Sequence, residues 1–130
     1  MNLPARQPGV VLRVDGALRF IPAHVAVRVA WAPPITTVPG APAELIGVAL
    51  QAGAIVPVVA VGPERAEMIV CLHAGELIGI IGGRVVRTGT FVVASREPDV
   101  VEHEGELAHT LDVGAIYARV QTGTRAGRRS

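Results

Sequence analysis

The chain has 130 residues, half of them hydrophobic and 18% charged, with a formal net charge of +1 at neutral pH. That length suits one domain with a sizeable core, and so small a charge excludes the basic field that nucleic-acid phosphates require, so nucleic acid is not an expected partner. The single cysteine, Cys71, cannot form an internal disulfide, and the start of the sequence lacks a basic segment leading into an apolar one, which makes the cytoplasm the expected location.

Met1 to Gly9, with Pro4 and Pro8, predicts a flexible arm. Val10–Val14 and Ala17–Ile21 then flank Asp15-Gly16, a hairpin signal. The binary pattern favours a three-residue loop closed by Gly16, with Leu12 facing Leu18 and Val10 facing Phe20. Val11, Arg13, Ala17 and Arg19 would share the other face, whereas a two-residue loop would oppose Arg13 to Leu18 and mix the faces. Beyond a bend at Pro22, Val25, Val27 and Val29 alternate as in a strand, and the proline pairs of Trp31–Pro34 and Pro39–Pro42 predict extended or turning chain.

From Leu45 to Gly62 the sequence carries no charge and one strongly polar side chain, Gln51. A membrane helix needs about 20 apolar residues, but Pro57 lies inside this run and Gly47, Gly53 and Gly62 punctuate it. Two short buried strands joined by a turn near Gln51–Gly53 are the better reading.

After the break at Gly62–Arg65 the pattern echoes the first hairpin: Cys71–Leu77 repeats Leu12–Leu18, with Gly75 in the place of Gly16. The same loop would pair Cys71 with Leu77 and Ile69 with Gly79, and apolar residues on both faces predict burial between two halves. Arg84 to Val93 reads as a strand region interrupted at Thr88-Gly89-Thr90, and Ala94–Asp99 as a loop. A third hairpin around Glu104-Gly105 would set Val101 opposite Leu107 and Glu102 opposite Glu106, with His109 pointing inward. Asp112 is a candidate N-cap for a short helix, Val113 to Val120, ahead of a flexible tail, Gln121–Ser130.

These short strands predict an all-β protein, barrel or sandwich, with a pseudo-repeat. No catalytic set emerges. His103-Glu104 is followed by His109 six residues on, a spacing that cannot place two imidazoles on one helical face as a zinc-protease motif requires. No cysteine lies at metal-ligand spacing, Cys71 reads as a buried structural thiol, and no glycine cluster has the context of a phosphate loop. The expectation is a non-enzyme with no metal or cofactor.

Gly47-Val48, Gly53 and Pro57-Val58-Val59, preceded by Ile35-Thr36-Thr37-Val38-Pro39-Gly40-Ala41-Pro42, fall in a pattern that resembles the CheW family of chemotaxis adaptors, over roughly Val10 to Val120. The resemblance implies two SH3-like five-stranded barrels sharing a hydrophobic interface, as one domain over 10–120 with halves near 10–62 and 67–120. It further implies a scaffold that docks on the cytoplasmic tip of methyl-accepting chemoreceptors, within receptor clusters, and couples them to the CheA-type histidine kinase. Other CheW-like proteins or a second copy of the chain are further implied partners.

Three charged features of the family are absent or reversed. Leu50-Gln51-Ala52 replaces an asparagine, leucine and arginine before Gly53, Ala60 stands at an aspartate position, and Arg28 stands where a glutamate is usual. Charge-assisted hydrogen bonds worth about 1.5–3 kcal/mol each are thereby lost, so kinase coupling is expected to be weakened or lost. The surface the resemblance assigns to partners comprises Val27, Arg28, Leu50, Ala52, Gly53 and Pro57. Two other classes of function are a small-ligand-binding β-barrel, with the Leu45–Gly62 strands lining a pocket, and a self-associating structural domain.

Overall fold

Four dipeptides ending in glycine set the strand register. Asp15-Gly16, Ala52-Gly53, Ala74-Gly75 and Glu104-Gly105 all have left-handed backbones, with φ of 48–50° at the first residue and 79–83° at the glycine. Two consecutive positive φ values define the two-residue type I′ turn, whose twist matches that of the strands it joins.

The computed structural model describes residues 4–96 and 99–127. In it the strands are β1 (Arg6–Val14), β2 (Ala17–Pro22), β3 (Ala26–Trp31), β4 (Leu45–Gln51), β5 (Ala54–Ala60), β6 (Glu67–His73), β7 (Glu76–Ile81), β8 (Arg84–Ser95), β9 (Val100–His103) and β10 (Glu106–Thr110), followed by helix α1 (Val113–Gly127). The protein is all-β with a C-terminal helix, and its strands form a closed barrel, β1-β2-β10-β9-β8, and a second five-stranded sheet, β3-β6-β7-β5-β4.

The two-residue turns shift all three expected registers by one. Arg13 does face Leu18 and Val11 faces Phe20; Cys71 faces Ile78 and Leu72 faces Leu77; Ala108 faces Val101 and Leu107 faces Glu102. The faces are not mixed in the way the binary pattern feared, because both are covered. Val11, Leu18 and Phe20 fill the barrel with Phe91, Val101 and Ala108, while Val10, Leu12 and Ile21 face outward into the core shared with the second sheet.

The same slip reassigns the histidines. His103 is the buried one, its ring edge-on to Phe91 with centroids 6.0 Å apart, while His109 and Leu107 are exposed. Glu106 faces His103 rather than Glu102, and its carboxylate receives two hydrogen bonds from the Arg13 guanidinium, at 3.0 and 3.1 Å.

Three boundaries also differ from expectation. The chain enters β1 at Arg6, because Arg6 to Gly9 pair along β8. Strand β8 runs through Thr88–Thr90 to Ser95 without a break. Helix α1 continues past Val120 to Gly127, and Asp112 caps it, its Oδ1 accepting a hydrogen bond from the Ala115 amide at 2.9 Å. Residues 97–98 of the expected loop and the last three of the expected tail fall outside the described residues.

The two sheets share one topology. In each, the first strand pairs with the fourth (β8 with β1, β3 with β6), the fourth and fifth form a hairpin, and the fifth runs parallel to the third (β2 beside β10, β7 beside β5). The barrel is the permuted member, built from both ends of the chain around the contiguous β3–β7 unit. The expected division near residues 62–67 therefore falls inside the second sheet, between β5 and β6. The repeat read in the sequence, β1–β2 against β6–β7, joins equivalent hairpins. One pairing differs: β8–β9 closes the barrel, whereas β3 and β4 remain the two edges of an open sheet.

Between the units lies the largest core, where Leu12 and Ile21 of the barrel wall meet Ile69, Cys71, Ile78 and Ile80 of the sheet, sealed by Ile116 and Val120 of α1. A smaller core lines the inner face of the sheet, with Ala49, Val58, Met68, Val70 and Ile81.

The turns are not optimised. Alanine in the left-handed region costs about 1 kcal/mol, which asparagine largely avoids. Ala74 (φ 50°) is exposed, so Ala74→Asn should raise stability by about 0.5–1 kcal/mol in urea unfolding. No gain would mean that this turn relaxes away from type I′ in solution.

Candidate partner-binding surface

Cys71 is the one side chain with nucleophilic potential in the core. It is buried, and desolvation pushes its pKa from 9.0 up to about 12, so at neutral pH it is an inert thiol. The native protein should resist thiol reagents until it unfolds, and rapid labelling of folded protein would contradict the burial. Because the folded pKa is raised, the stability this group contributes is complete below pH 9 and declines as pH rises toward 12. Among the described residues no group of three or more histidine, cysteine or carboxylate side chains converges to hold a metal ion.

The barrel offers no lumen, since Phe20 and Phe91 stack edge-to-face across it, 5.9 Å between centroids. Of the strands from Leu45 to Gly62, Ala49, Val56 and Val58 are buried, while Val59, Ala60 and Val61 border an open cleft against Leu111 and Ile116.

Their outer face is different. With the turn at Ala52-Gly53, Leu50 lies directly across from Ile55 and Val48 across from Pro57. Leu50 is 66% and Ile55 75% exposed, a directly opposed aliphatic pair one step in from the pair that closes the turn. Pro33, Pro34 and Thr36 flank them and complete a shallow apolar groove with Val48, Ala49, Leu50 and Ile55.

A local tether holds that groove. Thr36 and Val48 exchange backbone hydrogen bonds, both at 2.8 Å, which lays the proline segment along β4. Gly47 permits the close approach, because a Cβ there would collide with the Thr36 carbonyl. No charged residue occurs between Glu44 and Glu64, so covering the hairpin desolvates no ion on its own strands. At ~25 cal/mol per Å², burying on the order of 200 Å² of Leu50 and Ile55 is worth roughly 5 kcal/mol before the costs of association.

Of the residues assigned by resemblance, Leu50 and Pro57 lie on this outer face and Ala52 and Gly53 form its turn, all on one hairpin. Val27 and Arg28 do not join them directly. They sit on β3, the opposite edge of the strand order, where a bulge interrupts the pairing with β6. Strand directions nevertheless put the start of β3 and the β4–β5 turn at the same end of the sheet, since β3 and β5 both run parallel to β7. Ile55 and the Pro33–Pro34 wall were missed. Counting outward from a two-residue turn at Ala52-Gly53 finds Ile55 at once.

No protein-family model matches the chain, and neither does any curated protein sequence. Among solved structures, the scaffolding protein TtCheW from Thermoanaerobacter tengcongensis superposes with a TM-score of 0.69, covering 87% of each chain at 14% sequence identity. The fold is CheW-like.

Proposed function

We propose that this protein is a non-catalytic adaptor of a chemosensory system, which docks on the cytoplasmic tip of a methyl-accepting receptor through the outer face of the β4–β5 hairpin. The observation that carries this reading is the exposed, charge-free Leu50–Ile55 pair beside the Pro33–Pro34 wall, on a fold shared with a CheW scaffolding protein. A groove of this kind suits the apolar stripe of an amphipathic helix, whose anchors recur every three to four residues. Ala52, Gly53 and Pro57 form the rim, and Val27 and Arg28 flank it at the same end of the sheet.

Coupling to a histidine kinase is the weaker of the two partnerships. Where the family uses charged residues, Ala52 and Ala60 supply no charge and Arg28 supplies the opposite one, so apolar contact must carry the interaction. Among the described residues no helix is long and apolar enough to cross a membrane, and the reading places the protein at the cytoplasmic face of receptor clusters.

Calorimetric titration of a receptor cytoplasmic fragment and, separately, of the kinase regulatory domain tests this. Micromolar binding to the receptor with at least tenfold weaker binding to the kinase domain is expected. Absence of both interactions at tens of micromolar protein sinks the adaptor reading.

A further inference from the structure

The shared topology exposes an asymmetry. In the barrel, β8 is hydrogen-bonded on both sides, to β1 and to β9. Its counterpart β3 pairs with β6 alone, so among the described residues the outer backbone edge from Ala26 to Trp31 meets no other strand. The counterpart of β9, strand β4, has its outer edge bridged by Thr36 and is not available to close the sheet.

Ala26 and Val29 of β3 pack against the shared core, but three other side chains of the strand are exposed. Val27 is 50% and Trp31 79% exposed. Arg28 stands exposed beside Val27, and among the described residues no carboxylate lies within ion-pair distance of it. A free sheet edge is a template for another strand, and a bulge or a charge along it limits which strands are accepted.

We propose that the outer edge of β3 is a second docking site, which takes an extended segment with alternating apolar and acidic residues as a sixth strand of the open sheet. The backbone supplies the pairing, Val27 and Trp31 supply apolar contacts, and Arg28 selects a carboxylate at the facing position. Charge decides the occupant. A second copy of β3 offers Arg28 no acid: paired antiparallel about Arg28 it sets two guanidiniums directly opposite, where like charges are destabilising, and one residue out of that register it faces Arg28 with Val29. An acidic strand turns that repulsion into a charge-assisted contact. The site lies outside the β4–β5 groove, although Val27 and Arg28 flank that groove at the same end of the sheet, and peptide binding at β3 is read separately from receptor docking.

The test uses the full chain and two capped hexapeptides, one alternating valine with glutamate and one alternating valine with lysine. Trp31, the sole tryptophan, reports binding by a blue shift, and amide hydrogen exchange of β3 reports strand pairing. The glutamate peptide is expected to bind at least tenfold more tightly than the lysine peptide, to slow exchange along β3, and to weaken with salt. Arg28→Glu should invert the preference. Arg28→Gln, which keeps the size and removes the charge, should abolish it, and Ile55→Asp should leave it unchanged. Equal affinities, absence of saturation up to millimolar peptide, or binding without slowed β3 exchange would each overturn the proposal.

Discussion

Ile55→Asp is expected to lower affinity for the receptor fragment by at least about a hundredfold while leaving the melting temperature within a few degrees of the parent. The side chain is 75% exposed and sits opposite Leu50, itself 66% exposed, so the folded protein loses little by the change. Surface substitutions of this kind usually fall within about ±0.5 kcal/mol. In the complex the same carboxylate would be pressed against apolar partner surface with no cation on its own hairpin to meet it. Burying a polar group without a hydrogen bond costs roughly 1–3 kcal/mol, more for a charge, and the apolar contact of the isoleucine is lost besides.

Ala52→Asp is the graded control. At φ 49° an aspartate is tolerated, and at the turn it stays partly hydrated, so a smaller loss of affinity with an unchanged circular dichroism spectrum is expected. Calorimetry and thermal melts on the three proteins decide the matter. Full affinity in Ile55→Asp would show that receptors dock elsewhere, whereas a collapsed melting temperature would show that the exposed pair is part of the core.

The sequence carried the strand inventory well. Hairpins announce themselves by glycine turns, and the β6–β7 echo of β1–β2 was visible because both are the central hairpins of one repeated topology. Register was another matter. On binary pattern Leu12 and Phe20 share one apolar face, with Arg13 and Arg19 on the other, but β1 is a shared wall between barrel interior and inter-sheet core, and a strand covered on both sides has no pattern to read. The local backbone chemistry of Asp15-Gly16 was the better guide, since that dipeptide prefers the two-residue turn.

The candidate site failed in the same place. Leu50, Ala52, Gly53 and Pro57 were found by resemblance, yet Ile55, the most exposed of the hairpin's aliphatics, looked like any isoleucine in a buried strand. Only the pairing of Leu50 with Ile55 on the outward face of a curved sheet distinguishes it. Permutation of the barrel was likewise hidden, because β8 and β1 lie at distant points of the chain and nothing local marks their pairing.

Gly82→Ala should be the most damaging single-atom change in the sheet, costing about 2–4 kcal/mol. Gly82 is buried at φ 118°, and a Cβ there would strike the Gly62 backbone; a Cβ on Gly62 would in turn strike the Gly82 carbonyl. The two glycines meet where the chain leaves β5 and β7, beside the hydrogen bond from the Val61 amide to the Ile81 carbonyl at 2.8 Å. Neither backbone can retreat, since Val59 and Ile80 just behind them are packed into the shared core. Overpacking of about 1–3 kcal/mol therefore adds to the roughly 1 kcal/mol of a left-handed non-glycine residue. Gly75→Ala isolates the second contribution: its φ is 80°, but nothing lies within 4 Å of the added carbon, so only about 1 kcal/mol should be lost. Urea unfolding of both variants compares them directly. A Gly82→Ala loss no larger than that of Gly75→Ala would mean the two exits can separate. Since Gly82-Gly83 leads the chain from the open sheet back into β8 of the barrel, the β4–β5 hairpin would then be free to shift against the closed barrel instead of being held at one angle to it.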